Sequence, residues 1–303
     1  MKAQRFLFLV WLGYLSLANF TYGQSILKKK GAVAGKSFSY YVMATTQPVK
    51  GIVFLLPGMG ERPNSIFKKT LLPQLLAKEG YLTIIPELTQ TLYADAYTMA
   101  ELDQIRKEQS EKYQLPESNV MVGGFSAGGA VAVSYAENLI ASGKGMPIKG
   151  VFAIDPPLDF TRLYASSQRK ISYPCDLIAK EGHSLKSYFE NALGGTPQSR
   201  SEQYVLAAPF TASTSDGGKA KFLIKLPIRL YTEPDLEFVR KTYCQALQME
   251  DINAYDLEKL SQFLTQQGNT QAEYIPTQGR GFHSWNILEP TDCLAWIKRV
   301  MQD

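Results

Sequence analysis

The stretch Asn119-Val120-Met121-Val122-Gly123-Gly124-Phe125-Ser126-Ala127-Gly128-Gly129-Ala130 decides the fold that this sequence predicts. Its apolar, β-branched start is typical of a buried strand, and the small-residue run that continues to Leu139 is typical of a helix. A serine between them in the pattern Gly-x-Ser-x-Gly lies in a sharp, strained turn, which tolerates no bulk two positions before or after it. Such a turn exposes the hydroxyl at a helix N-terminus, where backbone N–H groups favour developing negative charge. The pattern predicts a catalytic serine; the alternative is a glycine-rich turn with an incidental serine.

Strand and helix patterns alternate on both sides of this stretch. The further predicted strands cover residues 37–43, 51–56, 81–85, 149–154, 227–232 and 272–277, with the first as an edge strand. The further predicted helices cover residues 72–79, 99–115, 256–267 and 291–301. This alternation predicts an α/β fold with a mostly parallel sheet flanked by helices.

The alternation stops between residues 158 and 225, where no sheet pattern is found. A parallel crossover needs only about a dozen residues, so most of this segment is an insertion. Short helices are predicted at 160–164 and 184–193. Because the insertion follows the strand after the serine, we expect a lid over the active site; surface decoration is the alternative.

The N-terminus predicts export. A basic leader, Met1 to Arg5, precedes an apolar run that ends at Phe20 and is too short to span a bilayer comfortably. Residues 1–23 therefore predict a signal peptide cleaved between Gly23 and Gln24, which leaves 303 − 23 = 280 residues in a secreted or periplasmic protein. An uncleaved anchor is the alternative. Residues 24–36 are expected to be a loose lead-in to a single domain over 37–303.

Charge and composition exclude several classes of partner. A formal charge of +4 is too small and too scattered for nucleic-acid binding, and Lys28-Lys29-Lys30 is the only dense basic run. After signal cleavage, no remaining apolar run is long enough for a stable membrane anchor.

The cysteines and histidines give no metal or cofactor signal. Cys175, Cys244 and Cys293 lie far apart, with no Cys-x-x-Cys pair and no His/Cys cluster, so neither a metal nor a cofactor is predicted. Outside the cytoplasm one pair can be oxidised, and the sequence leaves open which one; the alternative is that all three are buried thiols.

A nucleophilic serine needs a base, and the base needs an acid to orient it. The chain has two histidines, and only His283 follows a predicted strand, whereas His183 lies in the insertion. For the acid, Asp235 is preferred because it follows a strand in a turn fixed by Pro234. Glu233 is the close alternative and Asp155 a more distant one, each also a common turn residue.

Two backbone N–H groups are candidates for binding an oxyanion. One belongs to Ala127, directly after the serine, and the other to Met59 in the Pro57-Gly58-Met59-Gly60 turn that follows a predicted strand.

The order of these features resembles the α/β-hydrolase family, and more narrowly secreted bacterial serine hydrolases of the esterase and lipase kind. The resemblance covers about residues 37–303. It implies an eight-stranded, mostly parallel sheet and a catalytic triad of Ser126, Asp235 and His283 in that chain order. Two positions depart from the pattern of many relatives: Pro57 stands where they have histidine, and Thr232 where they have glycine.

The leading hypothesis is a secreted serine hydrolase that cleaves a small-molecule ester, or another acylated substrate, through a covalent acyl-serine. A peptidase or an acyltransferase uses the same residues and stays an alternative. A catalytically silent protein that uses this fold for binding is the hypothesis from a different class.

Overall fold

The computed structural model describes residues 25–45, 47–88, 91–143 and 147–302. The predicted signal peptide lies outside these residues. The strands are β1 Ile26–Val33, β2 Lys36–Met43, β3 Gly51–Leu56, β4 Tyr81–Pro86, β5 Val120–Phe125, β6 Gly150–Ile154, β7 Ile228–Thr232 and β8 Ala272–Pro276.

These strands form one eight-stranded sheet in the order β1-β2-β4-β3-β5-β6-β7-β8. Strand β2 is antiparallel to both of its neighbours, and every other pair is parallel. The predicted mostly parallel, eight-stranded sheet is therefore confirmed. Strands β3 and β5 are adjacent at its centre, so the carboxyl ends of both open towards the same edge.

The prediction of a loose lead-in was wrong, because residues 26–33 are strand β1. Ala34 and Gly35, with φ of 49° and 74°, form a two-residue turn that pairs Val33 with Lys36. Such a turn fits the twist of a hairpin, although Ala-Gly is not its usual sequence. Strand β1 buries no residue fully, so apolar periodicity could not reveal it. Its lysines also suit an exposed edge, where charge discourages further strand pairing.

Helices cover both faces of the sheet. They are α1 Ile66–Lys69, α2 Leu72–Lys78, α3 Ala96–Tyr113, α4 Ala127–Ala141, α5 Phe160–Ile171, α6 Asp176–Leu193, α7 Ser201–Ala207, α8 Leu236–Thr242, α9 Ala254–Gln266 and α10 Pro290–Gln302. Helices α3, α4 and α9 bury apolar residues on one face, and α2 and α10 on the other. Within the ranges described above, no helix is both long and apolar enough to cross a membrane.

The segment between β6 and β7 forms helices α5, α6 and α7, and α5 and α6 are longer than the two helices predicted there. It has an aromatic cluster of its own, in which Phe189 lies 5.2 Å from Phe160 and 5.8 Å from Tyr204 between ring centroids. Arg162 in α5 forms a buried ion pair with Asp256 in α9. The segment is thus fixed to the main domain by a charged contact as well as by apolar packing.

The three cysteines form one disulfide and one free thiol. Cys175, just before α6, is bonded to Cys244, just after α8, across a sequence separation of 69. Cys293 in α10 is buried, and burial raises its pKa to about 12, so its thiol stays protonated at neutral pH. The disulfide links the β6–β7 segment to the chain that follows β7.

Tight backbone packing at the start of α4 predicts which glycine the fold needs most. A Cβ on Gly128 would lie 2.3 Å from the carbonyl oxygen of Leu56, whereas one on Gly129 would lie 3.0 Å from its nearest neighbour. We expect Gly128→Ala to lower the free energy of unfolding by about 1–3 kcal/mol, as overpacking of a rigid site does. Urea unfolding followed by circular dichroism measures it. Gly129→Ala, in the same helix, is the matched control with a smaller loss; equal stability of both variants and the parent would contradict the packing argument.

Candidate active site

Ser126 occupies the turn between β5 and α4, as the sequence predicts. Its φ of 52° and ψ of −123° lie outside the usual regions for a residue with a side chain. Its backbone N–H donates to the carbonyl of Ile154 in β6 at 2.8 Å, which fixes the turn against the sheet. A Cβ on Gly124 would lie 2.4 Å from the backbone of Gly128, so the turn closes only around glycine. The Ser126 side chain lines a cavity at the carboxyl edge of the sheet.

His283 lies in the loop after β8 and lines the same cavity. Its Nδ1 is 2.6 Å from Oδ2 of Asp155, and its ring centroid is 4.8 Å from that of Phe125. A carboxylate on Nδ1 orients the ring and leaves Nε2 free to exchange a proton. The histidine predicted at a strand's end is therefore the one that shares a cavity with the serine.

Asp155 directly follows β6, with its side chain almost fully buried. Its backbone N–H donates to Tyr231 in β7 at 2.8 Å. The hydroxyl of Thr232 donates to its Oδ1 at 2.6 Å, so both carboxylate oxygens have a partner. Thr232, the residue that departs from the family pattern, thus has a defined contact here.

The structure contradicts the preference for Asp235 as the partner of the histidine. Asp235 caps α8 instead, where its Oδ1 accepts from the N–H of Phe238 at 2.8 Å. The turn with Pro234 therefore serves helix α8 and not the histidine. The more distant candidate, Asp155, holds the position.

Glu233, the close alternative, is buried but binds elsewhere. It accepts from the backbone N–H groups of Arg280 at 2.8 Å and Gly281 at 3.3 Å. It thereby anchors the loop that carries His283 without touching the imidazole. His183, the other histidine, is exposed on α6.

Backbone strain concentrates at this site. Five of the described non-glycine residues have a positive φ, and Ser126, Asp155 and His283 are three of them. Such conformations cost about 1–3 kcal/mol each and persist where the surrounding structure fixes them. Strained backbone of this kind is common at functional sites, and here three of the strained residues are the serine, the histidine and the carboxylate that contacts it.

The two candidate oxyanion donors lie beside the same cavity. Ala127 is the first residue of α4, so its N–H is among those without a partner inside the helix. Met59 lies in a turn closed by a hydrogen bond from the N–H of Glu61 to the carbonyl of Gly58 at 3.0 Å. Gly60, with φ of 71°, supplies the left-handed residue that this turn requires. Met59, Ala127 and Ser126 all line the cavity.

Glu61 is a further buried charged residue beside the site, and the sequence did not predict it. Its side chain is only 6% exposed, although it carries a carboxylate. That carboxylate accepts from the N–H of Gly58 at 2.8 Å and from the indole N–H of Trp285 at 2.9 Å. Lys69 Nζ lies 2.6 Å from it. The only signal in the sequence was a glutamate directly after Pro-Gly-x-Gly. Its contact with Trp285, two residues beyond His283, depends on the tertiary fold.

The cavity has a volume of about 550 Å³. Helices α5 and α6 form one side of it and the region around α8 another, so the β6–β7 segment lies against the site. Among the described residues, no cluster of three or more His, Cys, Asp or Glu side chains could hold a metal ion.

Comparison with known proteins identifies the fold. A family profile described as alpha/beta hydrolase fold matches residues 89–226. The sheet order and the turn at Ser126 agree with that description, and the chain has the α/β-hydrolase fold. A search of curated proteins finds no match to this sequence.

Several solved structures share the fold. Carboxyl esterase 2 of the mycorrhizal fungus Tuber melanosporum is similar at 18% identity with a TM-score of 0.59, over 93% of this chain and 86% of that one. A thermostable esterase from Pseudomonas putida is 16% identical with a TM-score of 0.58, over 93% of this chain and 81% of that one. A fungal esterase structure from Rhizomucor miehei is 15% identical with a TM-score of 0.61, over 92% of this chain and 85% of that one.

The contacts of the two aspartates predict a large loss of activity from substituting Asp155 and almost none from the same substitution at Asp235. If Asp155 orients His283, Asp155→Asn should lower kcat by about 10⁴, because the histidine is then held in the wrong tautomer. Asp235→Asn is the matched control and should change kcat less than about threefold, since it alters only a helix cap. Steady-state ester hydrolysis measures both. The reverse ranking would restore Asp235 as the orienting acid.

Proposed function

We propose that this protein is an exported serine hydrolase that cleaves esters through a covalent acyl-Ser126 intermediate. The observation that carries the proposal is the contact between His283 and the buried Asp155, beside the strained Ser126 in one cavity. Serine, base and acid are the set that nucleophilic acyl transfer needs.

In the first half of the reaction, Ser126 Oγ attacks the acyl carbon while His283 Nε2 takes the hydroxyl proton. The oxyanion of the tetrahedral intermediate accepts hydrogen bonds from the N–H groups of Ala127 and Met59. The C–O bond to the alcohol then breaks, and His283 returns the proton to the leaving oxygen. Asp155 stabilises the imidazolium that exists between these two transfers.

In the second half, water attacks the acyl-serine and gives its proton to His283. The second tetrahedral intermediate collapses, the acid leaves, and the proton returns to Ser126 Oγ. No group beyond this chain and water is needed to balance either half. The scheme therefore assigns the catalytic work to Ser126, His283, Asp155 and two backbone N–H groups.

Two further lines of support concern the substrate and the compartment. The similar solved structures are named as esterases, which favours an ester over an amide as the substrate. Export is supported by the basic and apolar pattern of residues 1–23 and by the Cys175–Cys244 disulfide, because disulfides persist mainly in oxidising compartments.

Active-site labelling tests the nucleophile directly. We expect a fluorophosphonate probe to label the folded protein at one site and to lose that label in Ser126→Ala. Mass spectrometry of the labelled peptide identifies the residue. A folded parent protein that takes no label would favour the catalytically silent alternative.

Mutant kinetics test whether the residues act together. Ser126→Ala and His283→Ala should each lower kcat by several orders of magnitude, on the order of the 10⁶ seen for such units, with the double variant little worse than either. Short acyl esters and the matching anilides, assayed side by side, separate an esterase from a peptidase. Additive losses in the double variant would argue against a shared mechanism.

A further inference from the structure

We infer that the cavity beside Ser126 binds an apolar acyl group, so that the preferred substrates are esters of medium-length aliphatic acids. This inference rests on the proposed function and names its substrate class. The carrying observation is the composition of the cavity walls, set by residues far apart in the sequence.

Apolar side chains from three parts of the chain line the cavity. The β6–β7 segment supplies Leu163, Leu177, Ile178 and Leu185; the chain after β7 supplies Val239, Leu247 and Ile252; and the histidine loop supplies Phe282. Pockets of about 300–1,000 Å³ hold small ligands, and about 550 Å³ leaves room for an acyl chain beyond the reacting carbonyl.

The charged residues in the lining already have partners or face solvent. Lys170 pairs with Glu181 at 3.2 Å. Asp251 accepts from the hydroxyls of Ser166 at 2.8 Å and Tyr173 at 2.7 Å. Lys180 is exposed. An anionic acyl group would have to displace Glu181 from Lys170 or bind the solvated Lys180, so the walls favour an uncharged chain.

The apolar wall is also held in place. Ile178, Val239, Leu247 and Ile252 belong to one buried cluster that surrounds the Cys175–Cys244 disulfide. A wall fixed by a covalent bond and by packing presents the same surface to each substrate. A longer acyl chain should therefore bury more apolar area against this wall, and kcat/KM should rise with it.

A series of p-nitrophenyl esters from acetate to octanoate measures how kcat/KM depends on the length of the acyl chain. Each methylene that enters the cavity should raise kcat/KM by about fourfold, the factor expected for burying one CH₂. The rise should level off where the chain reaches the mouth of the cavity. If kcat/KM stays flat or falls along the series while Ser126 still reacts with the fluorophosphonate probe, the acyl-pocket inference alone is overturned. If the probe does not label Ser126, the proposed function itself is overturned.

Two exposed leucines of the β6–β7 segment form a matched pair of variants. Leu177 and Leu206 are 68% and 63% exposed, and Leu177 lines the cavity whereas Leu206 does not. Leu177→Gln should lower kcat/KM for the octanoate several-fold and leave the acetate unchanged. Leu206→Gln should leave both esters unchanged. Equal effects of the two variants, or faster turnover of a hemisuccinate ester than of butyrate, would overturn the inference.

A second inference comes from an independent observation: the structure assigns Glu61 as a positioning residue of the oxyanion turn. Its carboxylate joins the Gly58 N–H, in the turn that carries Met59, to the indole of Trp285, in the loop that carries His283. One buried side chain thus sets the distance between two parts of the proposed machinery without touching the substrate.

The contacts of Glu61 also limit its effect on developing negative charge. A carboxylate near the oxyanion would oppose it by simple Coulomb repulsion. Lys69 at 2.6 Å and the two N–H donors offset that charge. What remains is a geometric role, and a donor displaced by about 1 Å can cost about 100-fold in rate.

Glu61→Gln tests this role, because the amide keeps the size but places N–H₂ against one of the N–H donors. We expect kcat and the affinity for an alkyl boronic acid, which forms a tetrahedral adduct with the serine, to fall about 10- to 100-fold, with KM nearly unchanged. Trp285→Phe should show the same pattern more weakly, since it removes only the indole donor.

Glu101→Gln is the matched control, because Glu101 is also buried but lies in α3, away from the cavity. It should leave kcat and boronic-acid affinity unchanged. A fall in Tm for Glu61→Gln with unchanged boronic-acid affinity would reduce Glu61 to a structural residue and overturn the assignment. That outcome leaves the proposed hydrolysis untouched, because labelling of Ser126 is measured separately.

Discussion

The close contact between the backbones of Gly124 and Gly128 is the constraint on which the rest of the site depends. Because neither position carries a side chain, α4 can start close against the end of β5, and Ser126 in the turn between them has a φ of 52°. Gly128 also packs against the carbonyls of Leu56 and Pro57, where the oxyanion turn begins. Two close contacts of Gly128 therefore place the candidate nucleophile and the turn that carries Met59.

Most of the sheet could be predicted because strands β3 to β7 are buried almost throughout and their sequences are mainly apolar. Strand β1 escaped prediction because its pairing, and not its own burial, holds it in place. The same distinction applies at the site. Ser126 sits in a local pattern that sterics alone explain, and His283 was one of only two histidines. Neither identification required knowledge of distant contacts.

The orienting acid did require such knowledge. Asp155, Glu233 and Asp235 all follow parallel strands and all stand next to proline, so the only local feature that ranked them was the turn at Pro234, and that turn belongs to helix α8. What separates them is the path of the loop after β8, which crosses to β6 and brings His283 over Asp155. Thr232, in the neighbouring strand, donates a hydrogen bond from its hydroxyl to the other carboxylate oxygen of Asp155. A contact that depends on three separate segments cannot be read from any one of them.

The loop after β8, which carries His283, is held by several carboxylates. It contains Gly279 and Gly281, whose backbone freedom makes ordering costly, at roughly 1–2 kcal/mol per residue. Three acidic side chains from the loops after three different strands hold it: Glu233 binds its backbone, Asp155 binds the imidazole, and Glu61 binds the indole two residues later. Because each anchor comes from a different strand, twisting or shifting one strand would strain the other two contacts. The position of His283 is therefore a property of the whole carboxyl edge of the sheet, and its accuracy comes from the rigidity of the parallel strands beneath it.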